Sequence, residues 1–493
     1  MIRNSAAHSG ILLAVVLYTA GTAWAADTGG KQSTEQRQIQ ALQQQLAAVE
    51  MQVKRLGDQN QALLEKQRQL EGQMTQQSVA LQPTMPSPST QTPANAVVPG
   101  PTTFNAAPVA ATAFANVRLW GYGELYYSRP SRAPSKAQAD LARAVFGIGY
   151  AFDSRTEFNS EFEVEHAVAS AADAGEFEVE QFYVDRQLNQ ALTLRAGLFL
   201  MPFGLLNEHH EPTNFYGVQR NFVETLIIPS TWREGGFNVH GDTESGINWN
   251  AGITTGFDLS KWDFTPKFPL YSTALDLENS GAAPLRSTHQ ELALANAHNL
   301  SQYLALGYYG VPGLSVGAAL STGKAVSVAA PANAPLLGDS RVTLWEAHAR
   351  WTPAKFDLSA LYAHGSISNL AATNASNPGS PNPIPSNFYG YYAQAAYGLW
   401  EHDEYRLAPF VRWERYDMGS RYAGTPGPAI PTGLVPLSGT PGDYGYWPRT
   451  QDRVWSLGAN FYVTPHLVFK ADYQWFDLNG DFNRFDVGLG LNY

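Results

Sequence analysis

The sequence of 493 residues predicts an all-β fold, a transmembrane antiparallel β-barrel of about sixteen strands, preceded by a signal peptide and an α-helical coiled coil. Three observations carry this. From Val117 onward, apolar and polar residues alternate with a period of two in segments of roughly ten residues. The gaps between these segments alternate short and long. The last segment alternates up to an aromatic residue, Tyr493.

The chain opens with Arg3, an apolar run Ile11–Leu17 and the small-residue pattern Ala23-Trp24-Ala25. This reads as a signal peptide, residues 1–25, cleaved after Ala25. The run is too short to span a bilayer, which takes about 20 apolar residues. Residues 35–80 follow a strict heptad. Ile39, Leu46, Val53, Asn60, Gln67 and Met74 take one core position, and Leu42, Val49, Leu56, Leu63, Leu70 and Gln77 the other. Such a helix would be about 58 Å long and would not stay folded with its leucine stripe in water. Asn60 and Gln67 cost stability but fix register. Residues 81–116 form a linker rich in Pro, Ala and Thr, unable to make helix or sheet interior.

The barrel is expected over 117–493. Its segments fall at 117–128, 142–152, 156–168, 176–187, 192–200, 232–242, 246–257, 301–310, 314–323, 341–352, 356–366, 388–399, 404–416, 452–463, 467–477 and 482–493. Short connections sit at Asp153–Arg155, Val311–Gly313, Pro353–Lys355 and Thr464–His466, and long ones at 201–231, 258–300, 324–340, 367–387 and 417–451. Only Leu478–Asp481 is short where a long one is due. A soluble sandwich has no reason to sort its loops by parity, whereas outer-membrane barrels have short periplasmic turns and long external loops. An even strand count leaves both barrel ends on the short-turn side, so the coiled coil is expected in the periplasm. The strand ending at Tyr493 suits recognition by barrel-assembly machinery.

Composition narrows the rest. The chain is 44% hydrophobic and 12% aromatic, yet its mean hydropathy is −0.25, as expected when only alternate residues meet lipid. There is no cysteine, which excludes disulfides, thiolate metal sites and a cysteine nucleophile. A net charge of −11 argues against nucleic acid.

Alternation also assigns faces. In 156–168, Phe158, Phe162 and Val164 are expected toward lipid and Glu157, Glu161, Glu163 and Glu165 toward the lumen. In 176–187, Phe177 and Val179 face out and Glu176, Glu178 and Glu180 face in. The pattern slips after Gln181, which predicts a bulge. These neighbouring segments put seven carboxylates on one stretch of wall. Arg195 on the next strand is the obvious partner, but one arginine cannot neutralise seven acids. The acids either charge the pore or pair with inward arginines and buttress the wall. Other inward candidates are Glu346, His348 and Arg350, then Arg406, Arg412 and Glu414, then Lys470 and Asp472. Mixed signs on facing walls would give a transverse field.

The long connection 201–231 supplies the candidates for a constricting loop, Glu208, His209, His210, Glu211 and Arg220. Consecutive residues on an extended chain point apart, so Glu208 to Glu211 do not make a spaced metal motif. No cofactor or metal is expected. The histidines form no recognisable triad with a Ser or Thr nucleophile, so no enzymatic activity is expected.

Several stretches resemble the phosphate-selective porin O and P family. They are Gly121-Tyr122-Gly123-Glu124-Leu125, Glu161-Phe162-Glu163-Val164-Glu165-His166, Gly175-Glu176-Phe177-Glu178-Val179-Glu180-Gln181 and Arg195-Ala196-Gly197-Leu198. Asn207-Glu208-His209-His210-Glu211-Pro212, Phe215-Tyr216-Gly217-Val218 and Ile228-Pro229-Ser230-Thr231-Trp232-Arg233-Glu234-Gly235-Gly236 continue the series. The likeness is dense over 119–241 and looser afterwards. It implies a sixteen-stranded porin in the outer-membrane lipid, usually trimeric, with a pore narrowed by inward loops. The family name also implies anion selectivity, through basic pore residues that do not match here one by one. The expected function is passive diffusion of small hydrophilic solutes or ions. A phosphate or anion channel is the alternative, and a structural tether from the outer membrane to peptidoglycan through the coiled coil is another. A homotrimer is expected from the resemblance, although β-branched residues, Leu and Asn60 in the heptad alone would favour a dimer.

Overall fold

The computed structural model describes residues 116–493 apart from 169–174, 266–280, 326–338, 429–432, 437–443 and 448. The expected signal peptide, the coiled coil and the linker up to residue 115 lie outside the described residues.

The strands are β1 (Val117–Pro130), β2 (Gln138–Asp153), β3 (Thr156–Glu165), β4 (Glu176–Asn189), β5 (Leu192–Leu200), β6 (Arg233–Asp242) and β7 (Ile247–Thr255). They continue as β8 (Leu300–Val311), β9 (Leu314–Lys324), β10 (Arg341–Trp351), β11 (Phe356–Ile367), β12 (Asn387–Tyr397), β13 (Trp400–His402) and β14 (Tyr405–Arg421). The last are β15 (Gly433–Pro436), β16 (Tyr444–Trp447), β17 (Gln451–Thr464), β18 (Leu467–Phe476) and β19 (Arg484–Asn492). Sixteen of them form one closed antiparallel barrel. The short β13 prolongs β12 beside β14, and β15 and β16 pair with each other as a hairpin within the long β14–β17 connection.

Closure is made by β1 and β19, in register from Tyr122 opposite Asn492 to Pro130 opposite Arg484. Beyond the last rung, Gly121 N donates to the Tyr493 carbonyl (3.1 Å) and Tyr493 N to the Gly121 carbonyl (2.9 Å). Gly121 is needed at this seam: a Cβ there would lie 2.5 Å from the Val145 carbonyl oxygen and 2.6 Å from the Tyr493 hydroxyl.

The loop parity persists. Short turns such as Ser154-Arg155 and Val311–Leu314 lie at the end of the barrel where β1 begins, and the long connections 201–232, 256–299 and 422–450 at the other. The expected exception resolves into a seven-residue connection, 477–483, closed by a single 3-10 turn (Gly480–Phe482). The bulge in β4 falls one residue earlier than the sequence pattern suggests. Glu161 pairs with Gln181 and Phe162 with Val179, so Glu180 is the extra residue. Doubling an inward position there is what turns Phe182 out to lipid.

The outer face shows why the strands form where they do. In β18, Phe469, Tyr473 and Trp475 face outward while Val468, Lys470, Asp472, Gln474 and Phe476 are buried inside. Outward aromatics form two girdles. Toward the long-loop end, Trp345 meets Tyr362, Tyr362 meets Tyr391, Tyr391 meets Trp413 and Trp413 meets Trp455. Toward the short-turn end, Phe356 packs on Tyr397 and Tyr405 on Phe461.

The interior is less aqueous than strand alternation suggests. The connection 201–232 folds into the lumen. Its Met201, Phe203, Phe222, Val223, Leu226, Ile227, Ile228 and Trp232 form one apolar core with Leu344, Leu361, Phe388, Tyr392, Tyr416, Val454 and Phe476 of the wall. Each such side chain contributes about 2 kcal/mol when fully buried, so the loop is a packed part of the fold.

A barrel with no free edge cannot fray strand by strand. The purified protein is therefore expected to migrate as a compact species in detergent at room temperature and as a slower, unfolded one after boiling. A single gel position under both conditions would contradict the closed barrel.

Candidate functional site

The inward loop is held at its ends by Asn207. Its amide donates to the carbonyls of Met201 (2.7 Å) and Trp232 (2.8 Å), and its side-chain oxygen accepts from Trp232 N (2.7 Å). Glu224, in the buried turn Val223–Ile227, accepts from Leu205 N (2.6 Å), Leu206 N (2.8 Å), Asn221 Nδ2 (2.8 Å) and the Tyr392 hydroxyl of β12 (2.9 Å). Burial still pushes its carboxyl above the usual range. Gly204, at φ +71°, lets this carboxylate approach, since a Cβ there would sit 2.3 Å from Glu224 Oε1.

The far side of the loop is fastened to the opposite wall by residues that alternation marks as pore-lining. Asp472 accepts from Val218 N (2.6 Å) and Glu414 from Phe222 N (2.6 Å). Arg412 donates to the Tyr216 carbonyl (3.1 Å) and pairs with Glu414 (2.9 Å). Lys470 Nζ lies 3.5 Å from the centre of the Phe215 ring. All four point inward, but the loop covers them, so they do not face water as expected. The loop backbone crosses the lumen and must find acceptors and donors there.

The other inward candidates divide by height. Near the short turns, Glu157 pairs with Arg118, and Glu161 accepts from Trp120 Nε1 (2.5 Å) and from Gln181. Arg195 does not partner the glutamate row. It makes a two-pronged pair with Asp185 (2.8 and 2.9 Å) and lies over the Tyr183 ring. Arg350 is likewise held by Asp357 (2.9 and 2.7 Å), and His348 by Glu346 (2.8 Å). These charges are satisfied by near neighbours on their own wall, so the expected transverse field between facing walls is not what they build. Arg350 and Arg406 line a cavity of about 260 Å³ on this side, and Glu208, His209, Glu346 and His348 one of about 280 Å³.

The run Glu208 to Glu211 is split by the fold. Glu208 and His209 face the chamber just named, Glu211 accepts from Asn214 (2.7 Å), and His210 turns to the β1–β4 wall. His210 Nε2 lies 2.9 Å from Glu180 Oε1 and 2.7 Å from the Tyr122 hydroxyl, while Nδ1 lies 2.8 Å from the Asn207 carbonyl. A carbonyl and a carboxylate both only accept, so this geometry suits the doubly protonated ring. Burial alone would push the His210 imidazole down, but the Glu180 carboxylate outweighs it and holds the pKa above its ordinary value.

On the long-loop side of this junction lies a polar chamber of about 270 Å³ between the loop and β1–β4. Seven carboxylates line it, from Glu124, Asp140, Glu163, Glu165, Glu176, Glu178 and Glu291, against four guanidinia, from Arg143, Arg220, Arg233 and Arg286. Arg143 bridges Glu124 (2.8 Å) and Glu163 (3.3 Å), and Arg233 pairs with Glu178 and with Glu291 (3.1 Å). Glu165, Glu176 and Glu178 bring oxygens within 4.8 Å of one another at the outer rim. Neither Glu165 nor Glu176 has a cationic partner within ion-pair distance among the described residues. Burial pushes His289, also lining the chamber, down to about 4, so it is neutral near pH 7.

A closed barrel, a lumen crossed by a packed loop and polar chambers on either side describe a channel. The profile of phosphate-selective porin O and P matches residues 118–480. The chain belongs to that family. It is an outer-membrane porin, a channel for small solutes. An uncharacterised protein of Aquifex aeolicus (strain VF5) is 28% identical over 367 residues, covering 72% of this chain and 75% of its own. Among solved structures, OmpF of Salmonella typhi in complex with daunomycin matches at 13% identity and a TM-score of 0.47, covering 77% of this chain and 98% of its own. The anion-selective porin from Comamonas acidovorans matches at 12% and 0.44, covering 76% and 98%. The outer membrane channel DcaP of Acinetobacter baumannii matches at 12% and 0.41, covering 76% and 97%.

The sequence pattern finds the acids of this site but not their partners. Arg118, Arg143 and Glu224 are not among the expected pore residues, and Tyr122, Asn207 and Arg233 enter only through the resemblance. Arg118, Tyr122 and Arg143 lie on inward positions of β1 and β2, so strand alternation could have found them; Glu224 lies in irregular loop and gave no signal.

Because the His210 pKa is raised in the folded porin, its contribution to loop anchoring is fully present below about pH 6.5 and is lost as pH rises through the raised value. Channel current is expected to become larger or noisier over that rise. His210→Gln should flatten the dependence, and an unchanged profile in that variant would show that His210 does not set it.

Replacing Glu224 with Ala strips the partner from two half-buried backbone N–H groups and the buried Tyr392 hydroxyl, at about 1–3 kcal/mol each. Faster proteolysis within 201–232 with the barrel still heat-modifiable is the expected result.

Proposed function

We propose that this porin passes small hydrophilic solutes by passive diffusion and prefers cations, contrary to its family's name. The observation that carries this is the outer chamber, where carboxylates outnumber guanidinia seven to four and the two without a cationic partner among the described residues, Glu165 and Glu176, sit at the rim beside Glu178. Fixed carboxylates at a narrow mouth concentrate cations and repel anions. The candidate arginines and lysine deeper in the lumen are largely taken up by Asp185, Asp357, Glu414 and the loop itself, which reduces their pull on anions.

The working assembly in this reading is a homotrimer, supported by the resemblance. The segment 35–80, with its heptad pattern, would lie in the periplasm, since β1 begins at the short-turn end of the barrel.

A reversal potential in a KCl gradient tests the preference. A cation-selective sign is expected, shrinking as salt rises because the Debye length falls from about 10 Å at 0.1 M to about 3 Å at 1 M. The triple variant Glu165→Gln, Glu176→Gln, Glu178→Gln should lose most of it and remain heat-modifiable. An anion-selective sign in the unmodified porin would overturn the proposal.

A further inference from the structure

The buried arginines of the lumen are not equivalent. Arg233, Arg412 and Arg484 are each under a tenth exposed, and each reaches a carboxylate, on Glu178 and Glu291, on Glu414 (2.9 Å) and on Asp486 (3.0 Å). Arg220 is equally buried, at 6% exposure, yet among the described residues no carboxylate lies within ion-pair distance of it. Among the described residues its guanidinium donates only to neutral oxygens, the hydroxyls of Ser230 (2.5 Å) and Thr231 (2.9 Å) and the His210 carbonyl (3.3 Å). Its Nε has no hydrogen-bond partner among the described residues. Burying a cation this way is costly unless a counter-charge arrives from elsewhere.

Arg220 lines the outer chamber. The same chamber carries the opposite imbalance at its rim, where Glu165 faces Glu176 across the β3–β4 ladder and Glu163 faces Glu178 one pair deeper. Glu163 and Glu124 at the deeper level are taken by Arg143, which separates the free acids from the free base. The cavity therefore has a negative outer pole and a positive inner one. A simple cation satisfies only the first, and a simple anion must pass the first to reach the second.

We propose that the outer chamber is a binding subsite for zwitterionic solutes, amino acids and similar small molecules, with the ammonium group at Glu165, Glu176 and Glu178 and the carboxylate on Arg220. This rests on the channel reading and names the class of solute the chamber selects. Such a solute is neutral overall, so it gains charge-assisted hydrogen bonds at both ends without adding charge to the lumen. The bound solute satisfies Arg220, and the next such molecule to enter the chamber displaces it.

The test is block of potassium current through the full-length porin in a planar bilayer by 4-aminobutanoate, against butanoate and butylammonium as single-charge probes. Saturable block by the zwitterion is expected at about a tenfold lower concentration than by either probe, the scale of one charge-assisted hydrogen bond. Arg220→Gln should abolish this advantage and Arg220→Lys should largely keep it. Arg220→Gln should also shift the reversal potential further toward cations, while the triple glutamine variant at the rim shifts it the other way and removes zwitterion block. Heat-modifiability on gels confirms that each variant is folded.

Equal block by butylammonium and 4-aminobutanoate, with cation selectivity intact, would overturn the zwitterion subsite and leave the cation-preferring porin standing. Block that survives Arg220→Gln unchanged would overturn it as well. A porin with anion-selective current would instead remove the reading on which the subsite rests.

Discussion

The constraint on which this structure depends is that a backbone amide in hydrocarbon has no water to turn to. Strands can cross the membrane only if every one has a neighbour on each side, so the sheet must close. Here the closing contact is the β1–β19 ladder, ended by the exchange of hydrogen bonds between Gly121 and Tyr493. Everything else in the barrel follows from that closure. Side chains alternate between two solvents, lipid outside and the lumen inside, and the aromatic girdles mark where the first gives way to headgroups.

The same accounting governs the inside. A loop of irregular backbone that crosses a lumen carries amides that no ladder satisfies. The porin meets them with carboxylates: Asp472 for Val218, Glu414 for Phe222 and Glu224 for Leu205 and Leu206. An ionised carboxylate accepts several hydrogen bonds at once and has none to donate, so it suits the exposed N–H groups of a turn. Apolar packing supplies most of the loop's stability, and these acids fix where it docks.

This division explains what could be read in advance. The barrel was legible because alternation is a property of each strand alone, and strand limits such as 192–200 and 314–323 fall within a residue of those observed. The inward direction of Glu161, Glu163, Glu414 or Asp472 was legible for the same reason. Their tasks were not, because whether an inward acid meets water, an arginine or a loop amide depends on contacts between residues as distant as Val218 and Asp472. Arg195 shows the limit well. On the sequence it is the obvious partner for seven acids, but its real partner is Asp185, directly opposite on the adjoining strand. Within the run Glu208 to Glu211, Glu208 and His209 share one chamber, and nothing local says that His210 is the one that reaches Glu180.

Selectivity in such a channel is then decided by subtraction. Counting inward charges along the strands overstates the field in the pore, since most acids and bases cancel within a few ångströms or are covered by the loop. In the proposed reading what acts on a passing solute is the remainder, which among the described residues is small and localised: the rim carboxylates Glu165 and Glu176, and the buried guanidinium of Arg220. A remainder of so few groups can change sign by the loss or gain of one partner. A relative that placed a carboxylate beside Arg220, or an arginine beside Glu165, would keep the whole barrel and the whole loop and yet select differently. The architecture thus fixes that there is a pore and where it narrows, while in the proposed reading the preference among ions rests on two or three side chains that have no ionic partner among the described residues.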